Sequence, residues 1–312
     1  MKLEKQAFDI LVIGGGASGL TAASQAAERG ATVMCVDNGG MLGGVITNIG
    51  KLDSYPTPVA TAGATLVDSL VESCKTLDVA FSDVPVISLE LSDGTLIATT
   101  VRGTISAGAV IIASGARLRQ LGVPGEAELS GRGVSQCNWC DGGFFKNEPV
   151  IVVGGGDAAF QAAIHLAGFC SSVTVVMRSS TIRARRAYVL QAGDNETISF
   201  IWDTVVEGIV GSNKVEKVLL RNTTDNSTTE MATSGIFIFA GTEPNTAYLP
   251  EEIRLDASGA VITNESLLTS LPGVYAVGAV RSGYMGQLVS ACGEAATAAA
   301  SAIQNLKNRE RL

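Results

Sequence analysis

The sequence predicts an α/β protein of two three-layer domains, each built on a parallel sheet with an added antiparallel β-hairpin or meander. Two observations predict it: a strand–glycine turn–helix–strand pattern that occurs twice, roughly 140 residues apart, and short apolar runs bounded by Gly-containing turns. The first pattern runs from Asp9–Ile13 through Gly14-Gly15-Gly16-Ala17-Ser18-Gly19 into a helix over Leu20–Arg29. Gly30 stops that helix, and a strand over Thr32–Val36 ends in Asp37. The second runs from Val150–Val153 through Gly154-Gly155-Gly156-Asp157-Ala158-Ala159 into a helix over Phe160–Gly168 and a strand over Val173–Met177. Val86–Leu91 and Thr95–Val101 flank Ser92-Asp93-Gly94 and read as an antiparallel hairpin. Val215–Arg221 and Glu230–Phe239, on either side of the polar Thr223–Thr229 loop, read as a second one. Ala109–Ser114 and Ile236–Ala240 are continuous apolar runs of the kind that form buried parallel strands. The chain then returns through Val274–Val277 to a small-residue helix over Leu288–Leu306. This layout implies one domain over residues 120–246, inserted into another made of 1–119 and 247–312.

Length and composition agree with that layout. A chain of 312 residues is long for one compact core, and 46% apolar with 17% charged residues marks a globular protein rather than a disordered one. Lys and Arg number 22 against 30 Asp and Glu, a net charge of −8, so nucleic acid and anionic membranes are not expected partners. No stretch reaches the roughly 20 uninterrupted apolar residues of a membrane span. Met1–Asp9 carries Lys2, Glu4, Lys5 and Asp9 and does not read as an export signal, so a soluble cytoplasmic protein is expected. The sequons at Asn195, Asn222, Asn226 and Asn264 then read as chance matches. Six cysteines are too few for a disulfide scaffold. Cys35, Cys74, Cys170 and Cys292 stand among apolar or small neighbours and are expected to be buried core thiols.

Gly14-x-Gly16-x-x-Gly19 follows a strand and opens a helix, the context of a Rossmann-like dinucleotide fingerprint. Glycines there permit a tight turn and close approach of a pyrophosphate, and the helix N-terminus offers unpaired N–H groups and positive partial charge. Asp37 is positioned to accept hydrogen bonds from a ribose. Gly154-x-Gly156-x-x-Ala159 repeats the fingerprint, but no carboxylate ends the strand after it. Met177-Arg178-Ser179-Ser180-Thr181-Ile182-Arg183 stands there instead, with Arg185 and Arg186 beyond. Arginines at that place suit the 2′-phosphate of NADPH; the alternative is a solvated basic loop.

Cys137-Asn138-Trp139-Cys140-Asp141 is the third motif. Thiols at i and i+3 in a first helical turn lie close enough for a disulfide, and the helix N-terminus stabilises an attacking thiolate. Asp141 can move the proton that thiol–disulfide exchange requires. The rival reading is half a zinc site, but zinc needs four ligands and no second C-x-x-C is present. The sole histidine, His165, reads as a packed helix residue, so no metal is expected. Trp139 is either an apolar rim beside the cysteines or a packing residue.

These segments resemble the low-molecular-weight thioredoxin reductase family over essentially the whole chain. The carrying motifs are the two fingerprints, Ile111-Ile112-Ala113-Ser114-Gly115-Ala116, Gly131–Gly142 with its C-x-x-C-D-G, Gly241-Thr242-Glu243-Pro244-Asn245-Thr246 and Pro272-Gly273-Val274-Tyr275-Ala276-Val277-Gly278. The resemblance implies FAD at Gly14, Gly16, Ala17, Ser18, Gly19, Asp37, Gly44, Ala113, Gly115, Gly278, Gln287 and Leu288. It implies NADPH at Gly154, Gly156, Asp157, Ala158, Ala159, Arg178 and Arg183. It further implies a homodimer, with Cys140 facing the flavin, Cys137 attacking the substrate disulfide and Asp141 as acid/base. The expected acceptor is a thioredoxin-like protein or a small disulfide. Three positions depart from the family. Ala279 replaces an Asp that holds the flavin's ribityl chain, Met177-Arg178-Ser179 with Arg183 is a reduced form of the phosphate clamp, and Gly286 replaces the Arg before Gln287. Alternatives weighed beside this reading are a ferredoxin-fed reductase, an oxygen-dependent dithiol oxidase and a non-catalytic nucleotide-binding regulator.

Overall fold

The structure, a computed structural model, describes residues 6–38, 41–53, 55–56 and 61–309. The opening segment Met1–Asp9, expected not to be an export signal, lies partly outside the described residues. The chain divides into two compact units, Met1–Arg117 with Glu243–Leu312, and Leu118–Thr242.

The first unit begins with β1 (Gln6–Ile13), α1 (Ala17–Glu28) and β2 (Val33–Asp37). Then come α2 (Gly63–Thr76), β3 (Ala80–Asp83), β4 (Val86–Ser92), β5 (Thr95–Thr100) and β6 (Gly103–Ile112). The chain passes into the second unit within β7 (Ala116–Leu118). The sheet order is β3-β2-β1-β6-β5-β4. β1 pairs in parallel with both β2 and β6, Ile10 lying opposite Val33 and Ala109. The expected hairpin β4–β5 continues this sheet antiparallel through β6, so the added strands extend the parallel core. One face of the sheet packs Ile10, Val12, Val33 and Ile111 under α1, and the other packs Leu11, Ile13, Val110 and Ile112. Alternation of side chains along β1 and β6 therefore loads both faces with apolar groups, as a sheet covered on two sides requires.

The second unit carries β8 (Val134–Ser135), the single turn α3 (Asn138–Asp141), β9 (Pro149–Val153), α4 (Asp157–Leu166) and β10 (Ser172–Val176). It continues with α5 (Arg186–Gly193), β11 (Ile198–Ile201), β12 (Thr204–Val210), β13 (Lys217–Asn222), β14 (Thr228–Ala232) and β15 (Gly235–Ile238). Its main sheet runs β11-β10-β9-β15-β8, all parallel, while β12-β13-β14 form a separate antiparallel sheet. The sequence reading joined Glu230–Phe239 into one hairpin strand, and the structure divides it. Thr233 Oγ1 donates to the Pro149 carbonyl, and the Ser234 amide bonds to that same carbonyl. The chain therefore leaves β13 and joins β9 at Gly235.

Within β16 (Thr242–Pro244) the chain returns to the first unit, where β17 (Val274–Ala276) adds to β6 and α6 (Leu288–Arg309) packs on α1. The buried face of α6 is Ala291, Ala295, Ala298, Ala299 and Ala302 with Ile303 near its end, and from Ala295 onward that face shares a core with Ala22, Ala23 and Ala26 of α1. Methyl side chains on both helices permit the backbones to approach closely. Among the described residues, no helix is long and apolar enough to cross a membrane.

Candidate functional site

In the first unit, the turn between β1 and α1 is built by steric necessity. A Cβ on Gly19 would lie 1.8 Å from the Gly14 carbonyl oxygen, and Gly14 itself has φ +110° against the Ala113 carbonyl. Only glycine at both places permits α1 to start this close to the turn. Gly16 is the N-cap of α1 and no side chain caps the helix, so first-turn N–H groups stay open to a ligand. Asp37, at the end of β2, accepts the Gly15 N–H through Oδ2 at 2.5 Å. A cavity of about 200 Å³ lies beside it, lined by Gly14, Asp37, Asn38, Ser114, Asn245 and Tyr248 among others.

Further predicted residues converge on the same turn. Gly43 donates its N–H to the Gly15 carbonyl, and a Cβ on Gly44 would lie 3.3 Å from Gly16 Cα. A Cβ on Gly278 (φ +70°) would come within 2.4 Å of Ser18 Oγ and 3.8 Å of Ala291 Cβ. Gln287 and Leu288 open α6 one turn before Ala291. Gly115 follows β6 and accepts the Asn245 N–H at 3.0 Å. Among the described residues, Thr47 Oγ1 is buried without a partner beside Gly43. Open helix amides, the Asp37 carboxylate at the strand end and an orphaned hydroxyl form a donor and acceptor set that suits a dinucleotide such as FAD.

Three features here were not read from the sequence. Glu294, 13% exposed at its side chain, accepts the Gly278 N–H at 2.8 Å and pairs with Arg281, 17% exposed. Cys292 is not a core thiol as expected: it is half-buried on α6, where the Thr21 hydroxyl donates to its sulfur at 3.5 Å. Tyr284, pushed up to about 12 by burial and by Glu294 and Cys292 nearby, donates to the Gln287 carbonyl. Separation by well over 200 residues leaves no local pattern for the Thr21–Cys292 contact.

In the second unit the fingerprint repeats with one change. A Cβ on Gly154 (φ +139°) would meet the Phe239 carbonyl oxygen at 2.4 Å, and would stand 3.1 Å from the Ala159 methyl, which fits in the third position. Gly156 is the N-cap of α4, again without a side-chain cap, and Ala158 lies in its first turn. The basic loop folds onto this turn, with the Arg183 and Ala184 amides both bonded to the Gly155 carbonyl. Arg178 and Arg183 are exposed beside it. Both Asp157 oxygens are engaged by Arg185, Oδ1 by its amide and Oδ2 by Nε, each at 2.7 Å. Arg185 also stacks over the Tyr188 ring. Glycine turn, open helix amides and two exposed arginines suit a phosphorylated dinucleotide such as NADPH.

Cys137 and Cys140 form a disulfide with their Cα atoms 5.3 Å apart. Cys137 is the N-cap of α3 and its sulfur accepts the Cys140 N–H at 3.1 Å, which is the placement that favours a thiolate after reduction. Cys140 is exposed and Cys137 half-buried. Asp141 accepts a 2.6 Å hydrogen bond from Ser135 Oγ, which in turn accepts the Cys137 N–H at 3.0 Å. Ser135 was not singled out in the sequence; a buried serine two residues before a cysteine carries no distinctive signal. Trp139 is 45% exposed and stacks on His165. Among the described residues, no group of three or more His, Cys, Asp or Glu side chains is arranged to hold a metal ion.

Comparison with known proteins matches residues 8–296 to the pyridine nucleotide-disulphide oxidoreductase family. The chain is 37% identical over 308 residues to the thioredoxin reductase of Listeria innocua, which covers 97% of this chain and 95% of that protein. Among solved structures it is similar to Lactococcus lactis thioredoxin reductase in its FR conformation, with TM-score 0.92 and 33% identity over 96% of this chain and 99% of that one. It is also similar to T. acidophilum thioredoxin reductase, with TM-score 0.91 and 31% identity over 97% of this chain and 100% of that one.

Proposed function

Because this chain belongs to the thioredoxin reductase family of pyridine nucleotide-disulphide oxidoreductases, we propose that it carries two electrons from NADPH, through FAD, to the Cys137–Cys140 disulfide and on to a substrate disulfide. The chain is an FAD-dependent oxidoreductase with two nucleotide-binding domains. The observation that carries the electron route is the disulfide itself, capping a helical turn with a carboxylate next to it. When bound, the flavin supplies the conversion of a hydride into electrons that reduce a disulfide.

The chain's own residues do the rest. Gly14, Gly16 and Gly19 bring the amides of Ala17 and Ser18 to the FAD pyrophosphate, Asp37 takes the ribose, and Gly44, Ala113, Gly115, Gly278, Gln287 and Leu288 line the remainder. Gly154, Gly156, Asp157, Ala158 and Ala159 frame the NADPH pyrophosphate, with Arg178 and Arg183 at the 2′-phosphate. In the reduced pair, Cys137 attacks the substrate sulfur, the bond between the substrate sulfurs breaks, and Cys140 then displaces the second product thiol. Asp141 holds and returns the proton that this exchange moves, steadied by Ser135. Thioredoxin is the acceptor named for the relatives, and a thioredoxin-like protein or a small disulfide is the acceptor here. A cytoplasmic homodimer completes the reading.

The test is to add NADPH anaerobically to the purified flavoprotein and follow the visible flavin absorption. Bleaching is expected. Colour that persists with NADPH but is lost with reduced ferredoxin, or with a small dithiol, replaces the proposed donor with one of those. Cys140→Ser is expected to keep NADPH bleaching and lose disulfide turnover; unchanged turnover would make the pair a bystander.

A further inference from the structure

α3 is a single helical turn, too short to hold its shape through its own hydrogen bonds. What its side chains grip therefore decides its geometry. Cys137 and Cys140 form the disulfide, and Asp141 is held by Ser135. The two residues between the cysteines are both held by one side chain, His165, from the last turn of α4. The Trp139 indole stacks on the imidazole with ring centroids 3.7 Å apart and planes 30° apart. Asn138, only 8% exposed, donates from Nδ2 to His165 Nδ1 at 3.0 Å. Phe169 meets the same ring in a T-shaped contact, with centroids 5.3 Å apart. The neutral tautomer with its proton on Nε2 is the one that accepts at Nδ1, and burial holds the His165 pKa below its ordinary value, which favours that neutral ring.

We propose that His165 is a positioning residue for the redox pair: by clamping Asn138 and Trp139 together it stabilises the disulfide form of Cys137–Cys140 over the dithiol form. The inference rests on the reading of this pair as redox-active. Its logic is that of linkage. Opening the disulfide lets the sulfurs separate to van der Waals distance and the turn between them relax. A stack and a hydrogen bond formed in the closed geometry therefore favour that geometry by whatever part of them is lost on opening. His165 also stands on the helix whose N-terminus is the second glycine turn, so the clamp ties the pair to a rigid element of its own unit.

The test equilibrates the purified full-length protein in buffers of reduced and oxidised dithiothreitol. In each exchange one protein S–S bond opens as one forms in the cyclic reagent, two electrons and two protons passing with it. The mixture is quenched by alkylation and the fraction of Cys137–Cys140 dithiol is read by mass spectrometry. His165→Ala is expected to shift the equilibrium about tenfold toward the dithiol, equivalent to about 30 mV for a two-electron couple. His165→Phe, which keeps the stack without the hydrogen bond, and Asn138→Ala are expected to fall between, near threefold. Cys170, 7% exposed, stays unalkylated in every folded variant and reports any loss of fold. Should His165→Ala fail that control, the other two variants decide. Shifts under twofold in all folded variants, or a shift toward the disulfide, overturn the proposal. A wild-type pair that does not equilibrate reversibly overturns the redox reading instead, which separates the two failures.

Discussion

Gly16 and Gly19 both sit in the first glycine turn, yet the structure gives them different tasks, and two alanine substitutions separate them. A Cβ on Gly19 would meet the Gly14 carbonyl oxygen at 1.8 Å and its carbon at 2.9 Å, both backbone atoms of the turn itself. Neither atom can swing aside, so α1 must back away from β1 by about an ångström. Overpacking of that kind costs about 1–3 kcal/mol. Among the described residues, a Cβ on Gly16 finds only the Gly43 carbonyl oxygen, at 3.9 Å, and the residue's φ of −72° is open to any side chain. Its added methyl group would instead occupy space beside the α1 amides, where the proposed FAD site puts the pyrophosphate. Deflavinated Gly19→Ala is therefore expected to lose about 1–3 kcal/mol in denaturant unfolding. Deflavinated Gly16→Ala should stay within about 1 kcal/mol of the parent, the scale of an N-cap exchange. In a titration of FAD into the deflavinated proteins, Gly16→Ala is expected to bind more than about tenfold more weakly, a loss of about 1.4 kcal/mol. FAD affinity within twofold of the parent for Gly16→Ala, or parental stability for Gly19→Ala, would refute the division of labour.

Other outcomes follow from the same geometry. Burial pushes the Cys74 and Cys170 thiols up to about 11, and Cys35 further, from an ordinary 9.0. Their contribution to stability is full below pH 9 and falls as pH rises toward 11, because the unfolded chain loses those protons first. The melting temperature should therefore drop across that window, less steeply in Cys170→Ala, and equal slopes in the two proteins would contradict the assignment. Arg178→Ala and Arg183→Ala should each weaken NADPH binding about tenfold, the scale of one charged hydrogen bond, and leave NADH binding unchanged; calorimetric titration of both nucleotides decides it. Asp141→Asn should slow disulfide turnover about 100-fold while NADPH still bleaches the flavin at the parental rate. Equal slowing of both half-reactions in stopped-flow measurements would assign Asp141 a structural part.

Much of the first unit was legible because its signals are local. A strand, a glycine turn and a helix N-terminus are adjacent in sequence, and each is dictated by sterics within a few residues, as Gly14 and Gly19 show. The C-x-x-C-D motif is local in the same sense, and its disulfide closes inside one turn. Helix α2 (Gly63–Thr76) escaped the sequence reading because only Gly63, Val67 and Cys74 of its residues are buried, too few to mark a face. β12 escaped it as well, since its partner lies across a loop and the pairing register with β13 shifts at Glu207, between Val206 and Gly208.

What the sequence alone determined is the chemistry on offer: two glycine turns that open helices, a thiol pair at helical spacing and a carboxylate beside it. Tertiary structure decided which side chains stand against those motifs. It split residues 230–239 between two sheets, because Thr233 and Ser234 both bond to Pro149. It brought Ser135 to Asp141, His165 to Trp139 and Asn138, and Glu294 to Gly278 and Arg281. The physical reason is range. Backbone sterics and helix capping act over a few residues and leave a pattern in the chain, whereas a ring stack or a buried ion pair joins positions that only packing makes neighbours.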